Sequence, residues 1–393
     1  MTIMRSIKNK AAIVGIGMSG FSKDSQRTEL YIACETIKAA LDDAGLTTAD
    51  IDGLVKQTDD ASDEHAITSS MGMGNLTYFG ECRWGAAPSA MVMRAAMGVA
   101  AGVANYIVIY RAVNGSSKRR MIPSMRSSGQ MSTSDLLQWT FHAPFGHMSE
   151  AGRVAMIVRR YMHEFSINNN QFGWVPVVCR EHGAKNQASM FYKKPITIND
   201  YLKSEMVVDP LRRLDCYEEA DAAAALVITT AERAKDLRQR AVYVLGAAQN
   251  MVPETEELNS YYRPSISSLP EMVQLRKTVF AMAGVTPREI DCVQLDDSYG
   301  PFVPMQLEAL GFCGRGEGVA FCDGGARIKV GGELPLNTSG GSLGEGHIHG
   351  MNHVIEAVRQ IRGTSTAQVK DARLVLVASG AGGPASSLIL GGK

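Results

Sequence analysis

The chain has 393 residues, 45% of them hydrophobic, and its 40 basic and 40 acidic side chains cancel. A balanced charge of this kind leaves no long-range field, which argues against nucleic acid or an anionic membrane as the main partner. No apolar run reaches about 18 residues, and the first ten residues carry charges without a hydrophobic stretch, so neither a spanning helix nor a secretory signal is expected and the chain reads as cytoplasmic.

In chain order, AAIVGIG at 11–17 is a short apolar run that predicts a buried strand, and the spacing of Leu30, Ala33, Ile37 and Leu41 predicts a helix ending before Gly45. Residues 85–103 read as a glycine turn and helix, followed by the strand YIVIY at 106–110. From 114 to about 270 the chain is richer in charges and turn signals, with Pro123, Pro144, Pro195 and Pro210; only 225–228 and 241–245 there read as strands. Much of the opening then returns. Leu46-Thr47 through Ile51-Asp52 is echoed by Val285-Thr286 through Ile290-Asp291 at a constant offset of 239 residues (51 against 290), and a glycine-rich turn, helix and strand recur at 340–363 and 374–377. Such self-similarity predicts two related α/β halves with helix-covered sheets. The boundaries expected are 1–115 for the first part of the N-terminal half, 116–222 for an inserted loop domain, 223–270 for the rest of that half and 271–393 for the C-terminal half.

Gly15-x-Gly17-x-x-Gly20 has dinucleotide-fingerprint spacing but runs into the polar Phe21-Ser22-Lys23-Asp24 instead of a helix, so a plain strand-to-loop turn is the better reading. The stronger signal is 337–350, NTSGGSLGEGHIHG, with five glycines and two histidines in fourteen residues. Glycine lets backbone approach a ligand, and a histidine there can move a proton or stabilise an oxyanion. His347 is the candidate catalytic group, with Gly344 and Gly346 as candidate oxyanion or ligand-binding positions. A second polar cluster, Asp296-Asp297-Ser298, follows an apolar strand, where open α/β sheets place chemistry. Asp296 is the second catalytic candidate and Ser298 a binding candidate or a helix cap; of the adjoining aspartates only one can face a pocket, leaving the other a structural role. The loop 378–384, ASGAGGP, supplies Gly380 and Gly382 as a further wall. Seven cysteines without a CxxC pair, and two histidines too close to converge, predict no metal site and no bound cofactor.

GGSLGEGHIHG resembles the GGxxxxGHPxG segment of thiolases, LDDSYG falls where they have NEAF, ASGAGG falls where they have CxGGG, and DCYEEADAAAALVIT resembles their CxxxSDGAAA stretch. The resemblance spans nearly the whole chain and implies a five-layered αβαβα fold of two duplicated halves, a homodimer and a coenzyme A thioester as substrate. His147, in FGHMSEAG, resembles a thiolase loop residue near CoA. The departures carry as much weight. The nucleophilic cysteine's place falls on Trp84 of ECRWGAAPS, with Cys82 two residues earlier, and the second active-site cysteine corresponds to Ala378; the cysteine of HDCF in sterol-carrier-protein thiolases corresponds to Ser298. Acyl transfer through a covalent thioester therefore lacks its nucleophile.

The chain is most similar to the cysteine-less lipid-transfer-protein-like aldolases of steroid side-chain degradation, through segments such as KPITINDYL and QLEALGFCGRGE. Those aldolases use tyrosines where this sequence has Asp296 and His347. The resemblance implies cleavage of a β-hydroxyacyl-CoA to a ketone and a shorter acyl-CoA, and a small OB-fold zinc-binding protein as possible partner. The alternatives are Claisen-type acyl transfer using Cys82, or a non-catalytic acyl-CoA-binding subunit. Aromatic residues between Trp139 and Trp174, including Phe141, Phe145 and Tyr161, read either as a sterol-sized pocket or as plain core.

Overall fold

A computed structural model describes residues 6–83, 86–117, 140–147, 149–255, 258, 260 and 262–392. Trp84, Trp139 and the basic residues 118–120 lie outside them.

The first half opens with β1 (Ala11–Met18) and α1 (Glu29–Ala44). Thr28 caps α1 by accepting from the Tyr31 amide, and Gly45, at φ 75°, closes it in the left-handed conformation that glycine adopts freely. The buried face of α1, from Ile32 to Ala44, lies directly on β1. That approach explains the fingerprint-like glycines: a Cβ on Gly15 would sit 2.1 Å from the Ala40 carbonyl oxygen, and one on Gly17 2.2 Å from that of Thr36. They make room for a helix, not a phosphate.

Next come β2 (Gly53–Gln57), α2 (Glu64–Met71), β3 (Tyr78–Cys82), α3 (Ala87–Ala100) and β4 (Tyr106–Asn114). The segment after β4 holds α4 (Glu150–Phe165), α5 (Trp174–Gly183), α6 (Ile198–Lys203) and the short pair β5 (Met206–Val208) and β6 (Leu211–Arg212). Then follow β7 (Asp221–Thr230), β8 (Val242–Asn250), α7 (Pro270–Ala283), β9 (Cys292–Leu295), α8 (Phe302–Leu310), α9 (Gly318–Cys322), α10 (Gly341–Gly344), α11 (Met351–Arg362), β10 (Leu374–Ser379) and β11 (Ala385–Gly391).

The large sheet has nine strands in the order β3-β2-β4-β7-β1-β8-β11-β10-β9. It reads almost symmetrically outward from the antiparallel β1/β8 junction. On one side β1 and β7, then β7 and β4, are antiparallel, and β4 and β2 are parallel; on the other, β8 and β11, then β11 and β10, are antiparallel, and β10 and β9 are parallel. The sequence repeat has the same physical content in both copies. The Thr47 and Thr286 amides donate to the Asp50 and Glu289 carboxylates at 2.8 Å, closing matching one-turn helices. Asp52 accepts from the Asn105 and Tyr106 amides at the head of β4, and Asp291 from the Arg373 and Leu374 amides at the head of β10. Gly246 repeats the β1 device, since a Cβ there would meet the Val279 carbonyl oxygen of α7 at 2.5 Å.

Helices α1 and α7 cover the outer faces. Helices α3 and α11 share one core and touch strands of both halves, which makes them the middle layer. This is the five-layered αβαβα arrangement. Helices α4 and α5 pack into the same core as α7 and α8, so the described part of 116–222 is braced against the C-terminal half. Tyr161 is fully buried in that core, whereas Phe141 and Phe145 are exposed.

Candidate active site

Parallel strands β9 and β10 end side by side, and the chain leaves them at Asp296 and Gly380; a crevice beyond the carboxyl ends of such strands is where open α/β sheets bind ligands. Here Asp296, Ser298 and Tyr299 form one wall and 380–384 another. His347 and His349, from the glycine turn, form a third, with Gln57 at the end of β2, Asp59 just beyond it, and Tyr217 completing the cleft.

The adjoining aspartates part company as expected. Asp296 faces the cleft, where Oδ1 accepts from the Ser298 amide (3.0 Å) and hydroxyl (2.6 Å), and Oδ2 from the amides of Gly380 (3.2 Å) and Ala381 (3.0 Å). Asp297 is fully buried beneath the glycine turn; it accepts from the Ser342 amide at 2.8 Å and the Leu343 amide at 3.3 Å, and His353 Nε2 lies 3.2 Å from Oδ1. Burial works to raise its carboxyl pKa, but the His353 bond and charge and the two amides outweigh this and hold it below the usual carboxylate range. Burial pulls His353 down, and the same bond and charge reverse that and raise it. Both shifts favour an ion pair, which sits directly beneath the turn.

His347 is buried but lines the cleft. Its amide donates to the Glu218 carbonyl (3.1 Å), its Nδ1 lies 3.2 Å from Ser342 Oγ, and its ring stacks on Tyr217 with centroids 4.1 Å apart. Burial lowers its pKa to about 4, reinforced by the charges of Arg111 and His353 and opposed by those of Asp296 and Asp297. The imidazole is thus neutral near pH 7, able to accept a proton, with two carboxylates placed to stabilise the cation that results. Tyr299 is pushed far above the usual phenol range by burial and stays a protonated donor.

The other expected residues divide. Gly380 and Gly382 line the cleft, and Ser298 does so while serving Asp296. Gly344 and Gly346 are not among the lining residues: their amides donate within the turn, to the carbonyls of Gly340 (2.8 Å) and Gly341 (3.4 Å). A Cβ on Gly344 would meet the Cys179 carbonyl oxygen at 2.2 Å, and one on Gly346 the Phe21 ring at 2.4 Å, so close packing is what requires glycine there. His147 lies beside α4 near Gly152, edge-on to His142 and away from the cleft.

Sequence reasoning gave no role to His349, Tyr217, Gln57 or Asp59; their joint position depends on contacts across the sheet, and the available signal was the second histidine of GHIHG. Among the described residues no cysteine lines the cleft. Cys82 is buried at the end of β3, and burial raises its thiol pKa. The described residues also hold no cluster of metal-ligating side chains.

A five-layered αβαβα arrangement with pseudo-symmetric halves, a glycine turn carrying a histidine and a cleft at the β9/β10 ends define a thiolase-type fold whose described cleft residues include no thiol. The comparisons agree. Residues 256–391 match the family model described as thiolase C-terminal domain-like. The chain is 46% identical over 386 residues to a 17-hydroxy-3-oxo-4-pregnene-20-carboxyl-CoA lyase of Mycobacterium tuberculosis, covering 98% of this chain and 100% of the relative. It is 43% identical over 389 residues to a steroid side-chain-cleaving aldolase of Thermomonospora curvata, covering 99% of each. The solved Ltp2-ChsH2(DUF35) aldolase superposes with a TM-score of 0.93 at 43% identity, over 98% of this chain and 99% of that one. The chain belongs to the thiolase superfamily, in the family of these steroid side-chain-cleaving aldolases.

Proposed function

We propose that the protein is an acyl-CoA carbon–carbon lyase that cleaves a β-hydroxyacyl-CoA by a retro-aldol route, with a 17-hydroxysteroid carrying a 20-carboxyl-CoA thioester as the substrate class. The relative's substrate name describes such a compound, with the hydroxyl on the carbon β to the thioester carbonyl. His347 takes the proton of the β-hydroxyl; the Cα–Cβ bond breaks, leaving a ketone on the steroid; and the electron pair passes to the thioester as an enolate. The imidazolium, stabilised by Asp296 and Asp297, then returns a proton to the enolate carbon, so atoms balance as ketone plus shorter acyl-CoA. Asp296 also fixes the 380–383 loop against the thioester end through the Gly380 and Ala381 amides.

The observation that carries this reading is the neutral His347 in a cleft shared with Asp296 and without a described thiol. Coenzyme A enters only as part of the substrate, and the chain works as a homodimer in the cytoplasm. A DUF35 protein, a small OB-fold zinc-binding partner of the kind named with the solved aldolase, completes the acyl-CoA site. Incubation of the 17-hydroxy-20-carboxyl-CoA steroid with the protein, with and without such a partner, followed by mass spectrometry, should give the 17-ketosteroid and the three-carbon acyl-CoA. His347→Ala should lower turnover by about 10²–10⁴. Absence of ketone under both conditions, or full turnover in His347→Ala, defeats the proposal.

A further inference from the structure

Beneath His349 lies a buried charge pair that the retro-aldol route does not yet use. Arg111 of β4 and Asp60, after β2, are both fully buried and form a salt bridge. Asp60 is fixed by the amides of Ala112 (3.0 Å) and Gln57 (3.1 Å). With its direction so set, the guanidinium places NH2 2.8 Å from His349 Nδ1. A guanidinium only donates, so Nδ1 must accept. His349 is thereby held neutral, with its ring proton on Nε2. Its backbone sits at φ 56°, a left-handed conformation uncommon for a residue other than glycine, and its ring lines the cleft with its centroid 4.7 Å from that of His347.

We infer that His349 is a catalytic residue, the donor to the thioester oxygen as it becomes the enolate oxygen, and that Arg111 and Asp60 are positioning residues that set its tautomer. The inference rests on the retro-aldol reading and deepens it. That route needs a donor at the developing oxyanion, and the obvious amides, those of Gly380 and Ala381, already donate to Asp296 while those of Gly344 and Gly346 donate within the turn. A neutral imidazole polarises a carbonyl without surrendering its proton early. Division of labour follows: His347 moves the proton and His349 holds the charge.

The test combines kinetics with a spectrum. His349→Leu should lower kcat about 10²–10³-fold, the usual loss for one oxyanion donor, with KM nearly unchanged, and His349→Gln, which keeps an N–H, should recover about a tenth of wild-type kcat or more. In ¹⁵N-histidine-labelled protein, the imidazole signals absent from His349→Gln identify His349. They should show the Nε2–H tautomer and no titration between pH 8 and 5, whereas Arg111→Met, which removes the obligate donor, should let the ring take up a proton in that range. An Nδ1–H tautomer or normal titration in the wild type overturns the inference, as does full kcat in His349→Leu when the wild type cleaves. A wild type that cleaves nothing defeats the retro-aldol reading itself, and His349's role with it.

Discussion

Replacing Asp297 should cost stability on a scale that its exposed-edge neighbour Asp296 does not reach. In Asp297→Ala the amides of Ser342 (1% exposed) and Leu343 (4% exposed) lose their acceptor, and the buried His353 loses its counter-charge. An unsatisfied buried donor costs about 1–3 kcal/mol, and breaking a buried ion pair about 3–5 kcal/mol. The two overlap, because His353 can shed its proton, so about 3–5 kcal/mol is the expected loss, a large share of a typical stability of about 5–15 kcal/mol. Asp297→Asn should recover part of it, since the amide oxygen can still accept from Ser342. Urea denaturation of both variants and the wild type supplies the numbers. The pH dependence adds an independent signature. The raised His353 contributes stability below its folded value and loses it as pH rises through that value, while the lowered Asp297 contributes above the usual carboxylate range and loses it as pH falls through its own. The alkaline decline from His353 should vanish in Asp297→Asn. A urea midpoint for Asp297→Ala equivalent to less than about 1 kcal/mol of loss would refute the reasoning, as the turn would then not depend on its buried anchor.

The depressed His347 places the acidic limb of kcat/KM near pH 4 instead of in the ordinary imidazole range, and removing the Asp296 charge by Asp296→Asn should move it further toward acid; a limb centred near pH 6.5 would contradict the assignment of His347 as base. Cys82 lies off the cleft with its thiol pKa raised by burial, so Cys82→Ser should retain turnover within about twofold by the mass-spectrometric product assay, and loss of activity in a folded variant would revive covalent acyl transfer.

Much of the frame was legible because it is written locally. Gly45 and Gly284, Thr47 and Thr286, and Asp52 and Asp291 act on their own helices or on the strand beside them, so a constant offset in sequence became the same hydrogen bonds in space. The split between Asp296 and Asp297 was legible for a similar reason, since adjacent side chains leaving a strand cannot face the same way. The direction of backbone amides is not written in a glycine run. Gly344 and Gly346 look like oxyanion positions until packing against Cys179 and Phe21 is known. The Arg111, Asp60 and His349 arrangement was equally hidden, for its members are 51 and 238 residues apart and meet only through the pairing of β2 with β4 and the packing of the glycine turn.

The glycine turn keeps its shape without help from a nucleophile. Asp297 and His353 hold it from below, and the buried Glu345 ties it sideways, accepting from Asn186 (2.8 Å), Ser339 (2.7 Å) and Asn352 (3.0 Å). Burial raises the pKa of Glu345, and its three hydrogen bonds hold it in place. None of these hydrogen bonds involves Ala378, where thiolases have cysteine. The chemistry of the cleft can therefore change by exchanging the few side chains that face it, while the buried polar network that presents them stays fixed. On the proposed reading His347 and His349 face the thioester in a thiolase frame, and breaking a carbon–carbon bond beside a hydroxyl requires a proton acceptor and an oxyanion donor but no acyl-enzyme.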